Sequence, residues 1–420
     1  MAGLTLTFLV TAALAFVAAA VAAPAAATAL AGHYYHPGLF ALTHMVTLGW
    51  ITLSIVGASC QIVPSVLGRP LGSSRLQWVV YGTLLVGAVG MVAHFALAEF
   101  VGLVYSASLI ALGAVLHVGN VAVALARLPR WTFTARCTAL ALVGFVLTVV
   151  AGGALGINHI RPFLPSVFSA LHAHIHVALL GWVLPMVIGV AAHAYPTFLL
   201  TPEPEGRLGD VQLASLALGV PALVAGLLAW PVIVAPAAVV VTASIAVHLL
   251  WVWRMLRQRR RQLLDWPLRF VLTGASALAI TAVVGLALAF DVVDGPRASL
   301  AYGVLALGGW ATFTIAGMML KIVPFLVWSS VYGPRVGLSP VPSVAALSWP
   351  AAERLAWVQL TIGITGLTLA VAAGDTAWIR GAALVTAAGA LTFGAAIGHA
   401  LWPALGELRP TRLGLARSRR

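Results

Sequence analysis

The residues best suited to chemistry in this sequence are histidines at the start of one apolar segment. His172, His174 and His176 lie within the five-residue run HAHIH. On a helix, His172 and His176 lie about 40° apart on one face, whereas His174 points away from both. A neutral imidazole offers a nitrogen lone pair and is the commonest metal ligand in proteins. The run therefore predicts either one metal site through His172 and His176, or two faces that serve two cofactors.

Further histidines belong to the same end of the predicted bundle. His44 lies about two turns into an apolar segment, in the register that His176 occupies in its own segment. A pseudo-symmetric fold would bring these two residues to one depth in a common interior, so we assign His44 as a cofactor ligand with the HAHIH run. The additional candidates for metal ligands at this end are His33, His36 and His94.

The surrounding residue types narrow the choice of cofactor. Glu99 is the one carboxylate near these histidines and no thiol accompanies them, which favours haem iron or copper over structural zinc. We expect haem, of the b type, with copper as the second candidate. Arg161 and Arg297 lie at the same end and are candidates for pairing with haem propionates. The ten acidic residues lie in loops or at the ends of apolar segments, which disfavours a proton-pumping chain across a bilayer.

The composition of the chain predicts the kind of secondary structure that must position these side chains. The 420 residues are 61% hydrophobic and 8% charged, with a mean hydropathy of +1.04, which excludes an ordinary soluble domain. We predict an all-α, polytopic integral membrane protein whose single transmembrane domain covers residues 1–420. We interpret the first segment as a retained helix, because it lacks the basic start of a secretory signal. The twelve predicted spans lie near residues 4–31, 38–64, 76–98, 101–126, 137–157, 167–199, 211–230, 233–253, 268–290, 299–328, 352–373 and 378–403.

Charge predicts the orientation of these spans. If the N-terminus is cytoplasmic, nineteen arginines fall on the cytoplasmic side and three, Arg161, Arg297 and Arg380, fall outside. We therefore expect both termini in the cytoplasm and a bacterial-type inner membrane. The net charge of +13 is explained by these short arginine blocks, so the expected partners are membrane lipids and not nucleic acid.

One pattern recurs in spans 2, 6 and 10. Each has a Gly before a Trp, a Gly seven residues after it, a polar residue after eleven and a Pro after fourteen; the tryptophans are Trp50, Trp182 and Trp310. They are 132 and 128 residues apart. The sequence therefore predicts three pseudo-repeated four-helix arcs, near residues 1–130, 131–260 and 261–420.

The fourth span of each repeat supports the same division. A histidine precedes an arginine by nine or ten residues in all three: His117, His248 and His399. Because this position recurs whether or not the repeat carries the other histidines, we interpret these three as structural residues that hydrogen-bond between helices.

The strings THMVTLGW and HAHIHVALLGW resemble short, divergent members of the haem–copper oxidase subunit I superfamily, including C-type-oxidase-like and nitric-oxide-response membrane proteins. In the oxidases, histidines of spans 2 and 10 hold the low-spin haem, a second span 10 histidine holds the active-site haem, and spans 6 and 7 supply copper ligands. The resemblance implies that His44 is a haem ligand. The chain departs from the pattern in span 10, where Val304 occupies the repeat position of His44, and in span 7, which has no histidine pair.

The resemblance and the repeat together suggest how the ligands are redistributed. His44 with His174 or His176 would clamp one haem, and the remaining span 6 histidine would hold a second metal with His94, His33 or His36. The predicted function is electron transfer, or nitric oxide or oxygen chemistry, with a small electron-transfer protein or respiratory subunit as partner. Catalysis is left open because the full oxidase ligand set is missing. The alternatives are a metal or small-solute transporter and a scaffold subunit without cofactors.

Overall fold

A computed structural model of the chain describes residues 2–203 and 206–407, and within these ranges it contains helices and no strands. Twelve helices are long and apolar enough to cross a membrane. They are α1 Gly3–Leu30, α2 Pro37–Leu67, α3 Ser74–Ala96, α4 Leu103–Ala126, α5 Phe133–Ile160, α6 Val167–Leu199, α7 Leu208–Leu228, α8 Pro231–Gln258, α9 Trp266–Ala289, α10 Gly295–Val331, α11 Pro350–Ala373 and α12 Thr376–Ala404. The predicted all-α, twelve-span architecture is confirmed.

Helix boundaries differ from the predicted spans by a few residues, for local reasons. We predicted that span 5 starts at 137, after the charged Arg136. The helix begins one turn earlier because the Thr132 side chain accepts a hydrogen bond from the Ala135 amide and caps it. Pro296 likewise starts α10 ahead of the apolar run, since proline suits the first turn of a helix.

The helices form three units of four that close into a ring. In each unit, the first helix packs against the second and the third against the fourth. The fourth helix of each unit contacts the first helix of the next, and α12 closes the ring against α1. We call the end at which α2 and α6 begin the histidine end, and the opposite end the arginine end. The predicted C-terminal arginine group, from Arg409 onward, lies outside the described residues.

The second helix of each unit stands at the centre. Helices α2, α6 and α10 are the most buried of the twelve, and their tryptophans Trp50, Trp182 and Trp310 are almost fully enclosed. The Trp50 indole N–H donates to the Thr312 hydroxyl at 3.2 Å, which joins α2 directly to α10. The repeated tryptophans are therefore core residues, around which the three units meet.

Each central helix contains a π-helical segment at the same place in the repeat. The segments are Met45–Thr52, Val177–Val183 and Leu305–Thr312. They directly follow His44, His176 and Val304, the three equivalent positions of the repeat. A π turn holds more residues than an α turn, so it changes the direction in which the preceding side chains point. The π segments of α2 and α6 therefore lie where they influence the direction of the His44 and His176 side chains.

Candidate functional site

A cavity of about 820 Å³ occupies the histidine end of the bundle and is lined by residues from all twelve helices. All four histidines predicted as cofactor ligands line it: His44, His172, His174 and His176. Its wall has three parts, which we call lobes. The first lobe lies between α2 and α6, the second between α6 and α10, and the third between α10 and α2.

His44 presents its ring to the first lobe in a defined tautomer. Its Nδ1 lies 2.7 Å from the backbone carbonyl oxygen of Phe40, one turn earlier. A carbonyl can only accept, so Nδ1 carries the hydrogen and Nε2 keeps its lone pair. The ring stacks on Phe95 of α3, with centroids 4.9 Å apart and planes 29° apart. This is the arrangement in which a backbone carbonyl typically orients a metal-ligating imidazole.

His176 repeats this geometry one unit further on. Its Nδ1 lies 2.7 Å from the His172 carbonyl oxygen, so Nε2 is again the free nitrogen. The ring faces the second lobe, where the ring of Tyr302 from α10 lies 6.1 Å away at 24°. His44 and His176 are therefore equivalent in the sequence repeat and also in the hydrogen bond that each ring makes.

His174 points to the opposite side of α6 from His176, as the helical period predicted. It lies in the first lobe close enough to His44 for the two rings to interact electrostatically. The space that the ring occupies is left by Gly152 of α5, where a Cβ would come within 3.0 Å of His174 Cε1. The His174 Nδ1 is buried and has no well-formed hydrogen bond among the described residues, although the Thr148 carbonyl lies nearby. The first lobe therefore brings two imidazoles together.

His172 lines the cavity one helical turn before His176, within electrostatic reach of the His176 ring. Its ring is 5.4 Å from that of Tyr34, in the connection between α1 and α2. His159, which we had not assigned to the site, also lines the cavity and stacks on Phe100 with centroids 4.5 Å apart. Aromatic and imidazole rings thus cover the opening.

The three histidines assigned to a second metal lie outside the cavity: His33 and His36 in the connection between α1 and α2, and His94 in the last turn of α3. The Nδ1 atoms of His33 and His36 accept hydrogen bonds from backbone amides two residues ahead, at 3.0 and 3.1 Å. His94 Nδ1 pairs with Glu99 at 2.8 Å. None of the three lines the cavity, and no group of three or more His, Cys, Asp or Glu residues among the described ones is arranged for a metal ion. A copper site through these residues stays a prediction, without a preformed cluster.

The arginines proposed for haem propionates do not reach the cavity either. Arg297 packs over Gly374 and donates to the Ala373 carbonyl at 3.4 Å, at the end of α11. Neither Arg297 nor Arg161 lines the cavity wall.

Tyr302 is the site residue that the sequence argument missed. It precedes Val304 by two residues, as His174 precedes His176, so the repeat itself held the signal. In the structure His174 of α6 lies within electrostatic reach of His44 of α2, and the ring of Tyr302 of α10 lies 6.1 Å from that of His176 of α6. The three lobes therefore present equivalent pairs of positions.

In the third lobe, the same two positions are occupied by apolar residues. Val304 of α10 and Leu42 of α2 occupy them, and both pack into one hydrophobic cluster with Leu367. Along the ring, the pairs are thus two imidazoles, an imidazole and a phenol, and two aliphatic side chains.

Comparison with known proteins agrees with this architecture. The fold is similar to that of a haem–copper terminal oxidase, solved by cryo-electron microscopy as a dimer. The TM-score is 0.65, with 13% sequence identity, over 95% of this chain and 83% of the oxidase chain. No protein-family profile and no curated protein sequence matches the chain. The chain therefore has an oxidase-like membrane fold, with a likeness in structure and not in sequence.

Proposed function

We propose that this chain is a haem-binding membrane protein of the haem–copper oxidase subunit I type, in which His44 and His174 would hold a b-type haem. The observation that carries the proposal is the pair of imidazoles in the first lobe. The His44 Nε2 keeps its lone pair because Nδ1 donates to a backbone carbonyl, and the His174 ring has a buried nitrogen without a well-formed hydrogen bond.

The wall of the first lobe fits a large flat group. The His174 ring itself fills the space at Gly152 of α5, whereas Gly153 and Gly156 line the cavity and a Cβ at either would meet nothing within 4 Å. The opposite side is formed by aromatic and aliphatic side chains such as Phe95 and Ile110. Buried polar groups without partners are uncommon in folded proteins, so the His174 nitrogen favours a ligand in this space.

We propose His176 as the ligand of a second redox metal, in the second lobe. A haem iron supplies a one-electron redox couple and, where a coordination position is open, a place for a diatomic ligand. The protein's own contribution is to orient the imidazoles through backbone carbonyls and to exclude water with an apolar wall. This supports electron transfer, or nitric oxide or oxygen chemistry, with a small electron-transfer protein or respiratory subunit as donor.

The optical spectrum of the purified protein tests the proposal. We expect a Soret band, and a low-spin bis-imidazole signal in electron paramagnetic resonance. His44→Ala and His174→Ala should each abolish the low-spin signal, because each removes one of the two imidazoles that would hold the haem. His176→Ala should retain it. His117→Ala, which alters a buried histidine outside the cavity, is the matched control and should keep the wild-type spectrum.

A protein without haem after expression with ample haem supply would contradict this function. The transporter and scaffold alternatives would then apply, and metal uptake by reconstituted vesicles would separate them. A low-spin spectrum that survives in both His44→Ala and His174→Ala would instead show that the haem ligands lie elsewhere.

A further inference from the structure

The connection between α8 and α9, with the helix turns on either side of it, is rich in arginine. We call residues 254–269 the basic segment. It contains one acidic residue, Asp265, and its arginines are all exposed. These arginines are Arg254, Arg257, Arg259, Arg260, Arg261 and Arg269.

Two of the guanidinium groups are held by aromatic rings. The Arg257 Cζ lies 5.3 Å from the centroid of the Trp253 ring, and the Arg269 Cζ lies 4.3 Å from that of Trp266. A ring face attracts the guanidinium without using up its N–H groups, which stay available to an anion. Because the side chains are already restricted, less conformational entropy is lost when an anion binds.

The remaining contacts of the basic segment leave most of its positive charge uncompensated. Arg259 donates to the backbone carbonyl of Leu256 at 2.6 Å, and this partner is neutral. Arg261 pairs with Asp265 at 3.1 Å, but the same carboxylate also pairs with Lys321 of α10. One carboxylate thus serves two cations.

The length of α8 places this charge at the surface of the membrane. The helix has 28 residues and is therefore about 42 Å long, whereas the hydrocarbon core of a bilayer is about 30 Å thick. Its last turns extend into the headgroup layer. Trp253 is 52% exposed there and Leu263 is 85% exposed, so apolar side chains stand among the arginines. Such side chains can contact the acyl chains while the arginines stay at the headgroups.

The basic segment is also tied to two central helices. The Arg260 amide donates to the Leu199 carbonyl at the end of α6, at 3.3 Å, and Asp265 reaches Lys321 of α10. These contacts fix the backbone that carries the arginines. The segment is therefore an anchored surface, and its charges keep a defined arrangement.

The connection between α4 and α5 shows the difference. Arg127 and Arg130 are exposed at the same end of the bundle. Their side chains make no hydrogen bond, ion pair or ring contact within residues 2–203 and 206–407. These two arginines follow the same charge bias, but nothing restrains their guanidinium groups.

We propose that the basic segment is a binding site for an anionic phospholipid. Arg257 and Arg269 hold the phosphate group, which a guanidinium binds through two parallel hydrogen bonds. Trp253 and Leu263 contact the acyl chains. A zwitterionic lipid carries the same phosphate, but the neighbouring arginines repel its ammonium group. The site does not depend on a haem, so its test is separate from that of the proposed function.

Native mass spectrometry of the full chain, titrated with phosphatidylglycerol or phosphatidylcholine, tests the proposal. The wild type should retain phosphatidylglycerol in preference to phosphatidylcholine. The affinity for the first phosphatidylglycerol should fall about 5-fold for each arginine removed in Arg257→Gln and Arg269→Gln, singly and together. The double variant of Arg127→Gln and Arg130→Gln removes the same charge and should keep the wild-type affinity.

A third variant separates a held guanidinium from charge alone. Trp253→Leu keeps the net charge and an apolar side chain but removes the ring beneath Arg257, so the affinity should fall about 2- to 5-fold. Trp78→Leu, in the first turns of α3, is the matched control. Trp78 is 50% exposed and stacks on no arginine among the described residues. This variant should match the wild type.

Three results would overturn the proposal. The first is an equal loss of affinity in the two double variants, because binding would then follow net charge and not a site. The second is a wild type that retains both lipids equally. The third is displacement of the lipid by inorganic phosphate at a similar concentration, which would show that the basic segment binds a free anion and not a lipid.

Discussion

His44 and His176 are oriented by the backbone and not by another side chain. Each Nδ1 donates to the carbonyl one turn earlier, so the tautomer that exposes Nε2 follows from the helix itself. No single substitution of a neighbouring side chain would remove that bond. His174 differs, because its ring is positioned by packing against α5. This difference makes the first lobe sensitive to the residues beside His174.

Gly152→Ala should therefore disturb His174, the proposed haem ligand. The added Cβ would come within 3.0 Å of the His174 Cε1 and displace the ring, which should broaden or shift the low-spin resonance signal. Gly82→Ala in α3 is the control, because a Cβ there meets nothing within 4 Å and Gly82 does not line the cavity. Equal spectra for the two variants would show that His174 does not ligate the haem from this position.

A second prediction at the residue scale concerns Glu99, in the turn between α3 and α4. Its carboxylate accepts hydrogen bonds from the Gly102 and Val101 amides, each at 3.0 Å, and pairs with His94. The Gly102 amide, followed by these other partners, lowers the pKa of Glu99 below its ordinary value of 4.5. Ionised Glu99 thus stabilises the folded state above that pH, and this contribution is lost as the pH falls through the lowered pKa.

We expect Glu99→Gln to melt at a lower temperature than the wild type near neutral pH. The difference should shrink as the pH falls below 4.5, because the wild-type carboxylate becomes protonated. Thermal melting of the detergent-solubilised protein across this range measures the effect. A difference that stays constant with pH would contradict the assigned role of the carboxylate.

At the scale of the helices, the π-helical segments and the glycine contacts decide how the elements meet. The three π segments lie at equivalent places and separate the ligand positions from the buried tryptophans. In the π segment of α6, at Gly181, helices α5 and α6 approach each other closely. A Cβ at Gly144 of α5 would lie 2.1 Å from the Gly181 carbonyl oxygen. The backbones of the two helices are in direct contact at this point. Rotation of a side chain therefore cannot relieve the steric clash that an added Cβ would cause.

Gly144→Ala should therefore destabilise the protein by at least about 1–3 kcal/mol through overpacking. Gly119→Ala in α4 should be neutral or slightly stabilising, because its Cβ would meet nothing within 4 Å and alanine favours a helix. Chemical or thermal unfolding in detergent compares the two. Similar stability for both would mean that α5 and α6 can separate without cost.

The histidines of the fourth helices differ from one another in the structure. His117 Nδ1 lies 3.1 Å from the Gln77 amide nitrogen, a hydrogen bond between α4 and α3. His248 is buried without a hydrogen bond among the described residues, and His399 is exposed beside Trp349, with ring centroids 5.5 Å apart. The interpretation of all three as bonds between helices thus agrees with the structure for His117 alone.

His117→Ala should lower stability by about 0.6–2 kcal/mol, the range for a hydrogen bond between membrane helices. His399→Ala should change stability by less than this, because the side chain is exposed. Unfolding measurements on both variants, with the haem spectrum as a second readout, test the pair. Loss of haem in His117→Ala would contradict a purely structural role.

At the scale of the whole molecule, one ring of twelve helices contains three lobes with different chemistry. The same two positions hold His44 with His174, His176 with Tyr302, and Val304 with Leu42 in the successive lobes. The scaffold is pseudo-symmetric, and substitution at six positions makes it functionally asymmetric. The oxidase-like fold of this chain thus carries its cavity-lining histidines on α2, α5 and α6, and α10 has none.

The distribution of charge across the molecule gives a prediction about orientation. Nineteen arginines lie toward one side of the predicted topology and three toward the other, so both termini should be cytoplasmic. Reporter fusions at the C-terminus should be active in the cytoplasm and silent in the periplasm. A fusion after Arg161, between α5 and α6, should give the reverse result. A periplasmic signal from the C-terminal fusion would refute this orientation.

The sequence by itself determined the architecture of this protein. Long apolar runs can satisfy their backbone hydrogen bonds in a membrane only as helices, so twelve runs predict twelve helices. The repeat of Trp50, Trp182 and Trp310 predicted three equivalent units because residues at one position of a repeat occupy equivalent environments. The helical period also separated His174 from His176 onto different faces.

Only the tertiary structure decided which residues meet. It placed His44 opposite His174 and brought Tyr302 of α10 to face His176, across more than 100 residues of sequence. It also placed His33, His36 and His94 outside the cavity, where the Nδ1 atom of each ring is hydrogen-bonded to a backbone amide or to Glu99. Periodicity fixes the direction of a side chain relative to its own helix, whereas the rotation of each helix depends on π turns and glycine contacts with its neighbours. For that reason the two lobes with histidines could be separated only when the packing of α2, α6 and α10 was known.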